Sequence, residues 1–150
     1  MIHRDSIPVR PFTVQGVPRP TTFELQTFRI VAPSASTTVI ALYRPPSGPL
    51  PLFFDELSDV IAAVCVKCRD TIVVCGDANC PGSSSSSVDE RLASVLEAFG
   101  LKQLVNKPTR GDNLLDILAT DDPSLFTQTI VDDAGGLSDH CLVTSSLSLR

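Results

Sequence analysis

Residues 71–79 read Thr-Ile-Val-Val-Cys-Gly-Asp-Ala-Asn. From Thr71 to Cys75 the run is apolar without alternation, the pattern of a strand covered on both faces. Gly76-Asp77 ends it, which leaves Asp77 and Asn79 at a strand end, where a rigid scaffold can aim side chains into a cleft. Upstream, Leu52 to Cys68 carries Leu57, Val60, Ile61 and Val64 at helical spacing. Asp55, Glu56 and Asp59 fall early in that helix, where carboxylates suit the dipole. Further back, Thr37–Leu42 is an apolar strand rich in β-branched residues, stopped by Arg44-Pro45-Pro46-Ser47-Gly48-Pro49. Phe23–Val31 is a second strand, and the five residues Ala32–Ser36 between the two suit a hairpin.

Downstream, Ser83–Ser87 is a low-complexity loop whose last serine predicts an N-cap, with Glu90 closing a capping box. The helix it opens carries Leu92, Val95, Leu96 and Phe99 on one face and stops at Gly100. Leu114–Ala119, Thr127–Val131 and Cys141–Leu149 read as three further strands. Pro8, Pro11, Pro18 and Pro20 forbid a central strand or long helix in the first twenty residues. Strands interrupted by two helices predict a layered α/β protein. Two helices are too few to cover both faces of a parallel sheet, so a helix-flanked mixed sheet is expected, in one domain with no internal repeat.

At 150 residues with 43% hydrophobic and 19% charged, the chain has the composition of a globular domain rather than a disordered one. Its net charge of −5 excludes gripping nucleic acid by bulk positive charge, though a local basic groove remains compatible. No apolar run reaches the roughly 20 residues of a spanning helix, and no secretory signal is visible, so the expected location is intracellular, nuclear or cytoplasmic. Five cysteines make an odd count. Cys65 and Cys68 form a C-x-x-C pair, but it sits at the wrong end of a helix for a redox motif and lacks a second pair for zinc. Structural thiols are the expectation.

Four polar islands follow or interrupt apolar strands: Tyr43; Asp77 with Asn79; Asp116 inside Leu-Leu-Asp-Ile-Leu; and Asp139-His140. Asp116 is the most informative, because a carboxylate buried unpaired among leucines costs several kcal/mol and must meet water, a partner or a metal. Taken singly each island has an ordinary explanation. Gly76-Asp77 and Asp139 suit turns, His140 suits a surface, and Tyr43 suits a core aromatic with its hydroxyl at the rim.

In their order, Leu42-Tyr43-Arg44-Pro45-Pro46, Gly76-Asp77-Ala78-Asn79, Pro108-Thr109-Arg110 with Leu115-Asp116-Ile117-Leu118, and Ser138-Asp139-His140 resemble the endonuclease/exonuclease/phosphatase superfamily. Within it they look most like the apurinic-type endonuclease domain of LINE-like (non-LTR) retrotransposon polyproteins, from Phe23 onward. That resemblance implies a four-layered α/β/β/α sandwich of two mixed sheets with outer helices. It implies Mg²⁺-dependent (Mn²⁺ possible in its place) cleavage of phosphodiesters, with DNA as partner and a reverse transcriptase domain in the parent polyprotein. By motif, Asp77 would position or activate the attacking water and Asn79 would bond the phosphate or that water. His140 would contact the scissile phosphate, oriented by Asp116, while Tyr43 would meet the phosphate or the developing charge. Asp139 would help hold the metal. Arg44, Arg110, Lys102 and Lys107 are the candidate phosphate contacts.

The family's opening strand with its Asn, and the following metal-binding Glu, have no counterpart before Phe23. Glu24 lies in a strand that does not correspond to the metal strand. The expectation is that residues 1–150 are the C-terminal two thirds of such a domain, with Met1 internal to a longer reading frame, and that catalysis is impaired. Two other readings stay open: a non-catalytic remnant or binding module, and a phosphoesterase of the same superfamily acting on a small phosphorylated molecule or lipid.

Overall fold

Ile72, Val73 and Val74 are all buried, as a strand covered on both faces requires. The computed structural model describes residues 4–33 and 35–148. Met1, Ser34 of the hairpin loop and Leu149 of the last expected strand lie outside them. The elements in chain order are β1 (Val9–Pro11), β2 (Glu24–Val31), β3 (Ser36–Tyr43), α1 (Leu50–Lys67), β4 (Thr71–Asp77), α2 (Glu90–Ala98), β5 (Lys102–Gln103), β6 (Asp116–Thr120), β7 (Phe126–Asp132) and β8 (Leu142–Leu147).

Six strands form one sheet in the order β1-β2-β3-β4-β6-β5, and β7 pairs with β8 in a second. Strands β3 and β4 are parallel, joined through α1, and the other neighbours are antiparallel, so the large sheet is mixed. The Pro-rich N-terminal segment supplies only the edge strand β1, where Pro11 has no ladder bond to lose. Glu56 of α1 ties that segment down, because its carboxylate accepts from the backbone N–H and hydroxyl of both Thr21 and Thr22 at 2.6–2.9 Å.

Alternation along the strands sorts their side chains onto two faces. One face, with Ile40, Leu42, Ile72, Val74, Ile117 and Ala119, packs against α1 and α2. Phe53, Leu57, Val60, Ile61 and Val64 of α1 are at most 1% exposed, and each such burial contributes about 1.5–3 kcal/mol. The opposite face carries Val39, Tyr43, Val73, Asp77 and Asp116. In the β7–β8 hairpin Val131 and Val143 pair across the strands and pack half-buried against the core, and His140, just before β8, reaches Asp116 on that face. The described residues therefore supply a helix layer, a large sheet and a small second sheet.

Two expectations need correction. Helix α1 starts at Leu50, one residue after Pro49, because Pro51 is tolerated in a first turn whose N–H groups have no partner. Helix α2 is capped by Asp89, whose carboxylate accepts from Arg91 N at 2.8 Å, and not by Ser87. Ser87 instead closes its own serine loop, bonding Ser84 Oγ at 2.9 Å. All five thiols are free, and burial pushes those of Cys75 and Cys80 up to about 11.

Candidate active site

Tyr43 pairs in register with Asp77, and Asp77 with Asp116, across three neighbouring strands. Residues opposite one another on adjacent strands share a face, so all three side chains point away from the helices at one end of the sheet. Gly76 makes the approach possible. Its φ is 126°, and a Cβ there would overlap the carbonyl oxygen of Leu42.

Beyond the strand end the chain turns back on itself through Asn79, which has a positive φ of 48°. Asn79 donates its backbone N–H to Asp77 Oδ1 at 3.0 Å. Its side-chain amide donates to Asp77 Oδ2 at 2.9 Å and to the carbonyl of Arg44 at 2.8 Å. Both amide hydrogens are thus committed, and only the amide oxygen is left to accept from a water. Asn79 is placed to orient Asp77 rather than to donate to a phosphate.

Arg44 corrects a sequence expectation. It is 2% exposed, donates to the carbonyls of Asn79 at 3.1 Å and Gly48 at 3.2 Å, and stacks over the Phe53 ring at 5.4 Å. Its guanidinium fastens two loops from inside and does not face a substrate. Lys102 is in register with Thr120, at the other end of β6 from Asp116, about 13 Å along the strand. Lys102 and Lys107 are both exposed, outside this cluster.

His140 enters from the segment before β8. Its Nδ1 lies 2.8 Å from Asp116 Oδ2, and its Nε2 lies 3.9 Å from Asp77 Oδ2. The three side chains are 17–21% exposed, so they are sheltered but reachable. Burial, then the like charge of Asp116, pushes the Asp77 carboxyl above its ordinary range against the opposing pull of Asn79 and His140. Asp139 lies apart from this hydrogen-bonded group, paired with Arg110 at 2.6 Å in an exposed ion pair. Tyr43 is 44% exposed beside Asp77.

The residue that assembles the site was not singled out in the sequence. Thr109, 0% exposed, accepts at its hydroxyl from the backbone N–H of Leu115 at 3.1 Å and of Asp116 at 3.0 Å. Its carbonyl accepts from Cys141 N at 2.6 Å. One threonine therefore fixes the start of β6 and the residue after His140. Its signal was present in the Pro-Thr-Arg wording, but nothing local distinguishes a threonine that bonds distant backbone from one on a surface.

A divalent cation would need oxygen ligands. Among the described residues no three His, Cys, Asp or Glu side chains come together as a metal site. Asp77 is engaged by Asn79 and Asp139 by Arg110. The chain's own side chains thus fall short of a metal cage, and a hard cation here would have to keep most of its waters.

This arrangement of sheets and helices is that of the endonuclease/exonuclease/phosphatase class. The chain is similar to the endonuclease domain of TRAS1, a telomere-specific non-LTR retrotransposon, with a TM-score of 0.74 and 18% identity over 99% of this chain and 72% of that one. It is also similar to an endonuclease/exonuclease/phosphatase family protein from Leptotrichia buccalis C-1013-b, at TM-score 0.57 and 12% identity over 83% and 54% of the two chains. No curated protein matches the sequence. The model of the endonuclease-reverse transcriptase family matches residues 37–144, and the chain belongs to that family. Among the described residues no helix is long and apolar enough to cross a membrane.

Proposed function

We propose that the chain hydrolyses phosphodiester bonds in DNA, nicking one strand as a retroelement endonuclease does, and that its activity is weak. The observation that carries this reading is His140 held by Asp116 with Nε2 turned toward Asp77. With Asp116 on Nδ1, Nε2 is the nitrogen left to face a phosphate oxygen, to which it donates when the ring is protonated. Asp77, with its raised pKa, is suited to take a proton from a water attacking phosphorus. Its oxygens are aimed by Asn79, and the Tyr43 hydroxyl stands beside them for the phosphate or its developing charge. As an exposed ion pair, Arg110–Asp139 is worth under about 1 kcal/mol, so an arriving phosphate can take Arg110 at little cost.

The family to which the chain belongs generally works with a divalent cation, Mg²⁺ or Mn²⁺. Asp77 and Asp139 are the carboxylates that would contribute, and two without a third ligand hold Mg²⁺ weakly. That shortfall also favours the second reading, a non-catalytic remnant that only binds. In the polyprotein context of the family, a reverse transcriptase would be the companion domain.

Plasmid nicking in Mg²⁺ tests the proposal. Slow conversion of supercoiled to open-circular DNA is expected, reduced about 10²-fold or more by Asp77→Ala or His140→Ala. Binding of DNA without any cleavage dependent on these residues would leave the remnant reading.

A further inference from the structure

On the helix side of the large sheet, opposite the face that carries Asp77, the Pro-rich segment between β1 and β2 roofs a cavity of about 320 Å³. Its floor is core: Phe23, Leu25 and Val60, the first and last at most 5% exposed. Phe12, Val14 and Val17 wall it from the segment itself and are only half-buried, so apolar surface is left to meet a ligand. The roof is fastened along its length. Phe12 N donates to Thr27 O at 3.1 Å, and the Thr27 hydroxyl donates to the Phe12 carbonyl. Lys67 Nζ donates to Gln15 Oε1 at 3.2 Å, and Glu56 holds Thr21 and Thr22 beyond it. A cavity under a segment tied at three places is preformed, as small-molecule sites commonly are.

Charge decides what the cavity suits. The chain carries 17 acidic against 12 basic residues, yet among the described residues no carboxylate lines this space. Its one charged lining residue is Arg19, exposed, and without a hydrogen-bond or ion-pair partner among the described residues. Arg29 stacks over the Phe12 ring at 5.4 Å, but its charge is answered by Asp70 at 2.6 Å. Apolar walls with a single free guanidinium at the rim match a ligand with an apolar body and one anionic head. At ~30 Å³ for each atom-sized unit of liquid, the space holds about ten non-hydrogen atoms.

We propose that this cavity binds a medium-chain aliphatic carboxylate of about eight carbons, its chain against Phe23, Leu25 and Val60 and its head on Arg19. The guanidinium fork matches the two oxygens of a carboxylate, and the chain is drawn in by the apolar area it removes from water. The site lies on the other face of the sheet from His140 and Asp77, and neither needs the other.

Octanoate, octanol and octylamine at equal concentrations below micelle formation test it, by thermal melts and by methyl NMR of the full chain. Octanoate is expected to raise the melting temperature and to shift the methyl signals of Val14, Val17, Leu25 and Val60. A dissociation constant on the order of 1 mM or tighter is expected of about ten atoms. Octanol should bind about tenfold more weakly and octylamine not measurably, because one offers Arg19 no charge and the other repels it. Arg19→Gln should erase the preference for octanoate over octanol, and Val17→Trp, which fills the space from its wall, should abolish binding of both. Both positions lie on the roof rather than in the core, and melts without ligand report that the variants fold. Should Val17→Trp not fold, Arg19→Gln and the methyl shifts decide alone. Equal affinity for octanoate and octanol, an unchanged preference in Arg19→Gln, or shifts scattered outside the cavity overturn the proposal. So does the absence of any shift at about 10 mM octanoate. The nuclease reading stands or falls separately, by plasmid nicking.

Discussion

The Nδ1 of His140 lies 2.8 Å from Asp116 Oδ2, while the backbone of Asp116 is itself fixed by the hydroxyl of Thr109. The carboxylate can only accept, so Nδ1 carries the proton and Nε2 is left toward Asp77. Asp116→Asn would offer a donor in the same place and reverse the tautomer. Nicking should fall about 10²-fold or more with the fold intact, measured by open-circle formation alongside circular dichroism.

Thr109→Val removes the acceptor of two backbone N–H groups at a fully buried position. Each buried donor left unpaired costs about 1–3 kcal/mol, so a loss of about 2–4 kcal/mol in urea unfolding is expected, with Thr109→Ser close to wild type. A valine variant as stable as the parent would show that the hydroxyl is not what holds β6.

Glycine substitutions should separate crowding from conformation. Gly76→Ala places a Cβ into the Leu42 carbonyl at a φ few side chains adopt, and should leave little folded protein. Gly111, at φ 54°, has nothing within 4 Å of an added Cβ, so Gly111→Ala should cost only about 1–2 kcal/mol. Thermal melts of the two read the contrast.

Arg44 and Arg110 should part company in DNA binding. Arg110→Ala should lower the slope of log affinity against log salt by about 0.9 if it meets one phosphate. Arg44→Ala should leave that slope alone and instead lower the melting temperature, since its guanidinium joins the Asn79 and Gly48 loops from within.

The pH dependence follows from Asp77. Its folded pKa is raised, first by burial and then by Asp116, so the native state holds this proton more tightly than the unfolded chain does. The stabilisation this gives is full below the unfolded pKa and is lost as pH rises through the folded one. Asp77→Asn cannot ionise, so its stability relative to wild type should grow as pH climbs from the acidic range to neutrality. Urea midpoints at paired pH values measure the difference. The acid limb of nicking should lie above the ordinary carboxylate range for the same reason.

Much of this was readable residue by residue. Thr71–Cys75 announced a doubly covered strand because an unbroken apolar run has few other uses, and Asp116 among leucines had to find a partner. Failures arose where the deciding neighbour lay far off in sequence or where two local signals competed. Ser87 and Asp89 both suit an N-cap, and Val88, bridged to Pro81, delays the helix until Asp89. Strand β5 is two residues long and leans on the Gln103 side chain, whose oxygen accepts from Leu118 N at 2.9 Å like a stretch of backbone. No periodicity announces that. Arg44 after a strand looked like a surface cation, since nothing nearby in sequence reveals the ring of Phe53 beneath it.

The shared register of Tyr43, Asp77 and Asp116 has a consequence for how the chain assembles. Sliding β6 past β4 by one residue would swing Asp116 into the layer of Ile72, Val74 and Leu96 and leave it without its imidazole. Burying a carboxylate there costs several kcal/mol, so mispaired sheets are expelled by charge rather than merely packed less well. Asp116, which we propose to orient the histidine for hydrolysis, thus also penalises misaligned strands during folding, and a chain that has paired wrongly cannot also be a chain that cuts.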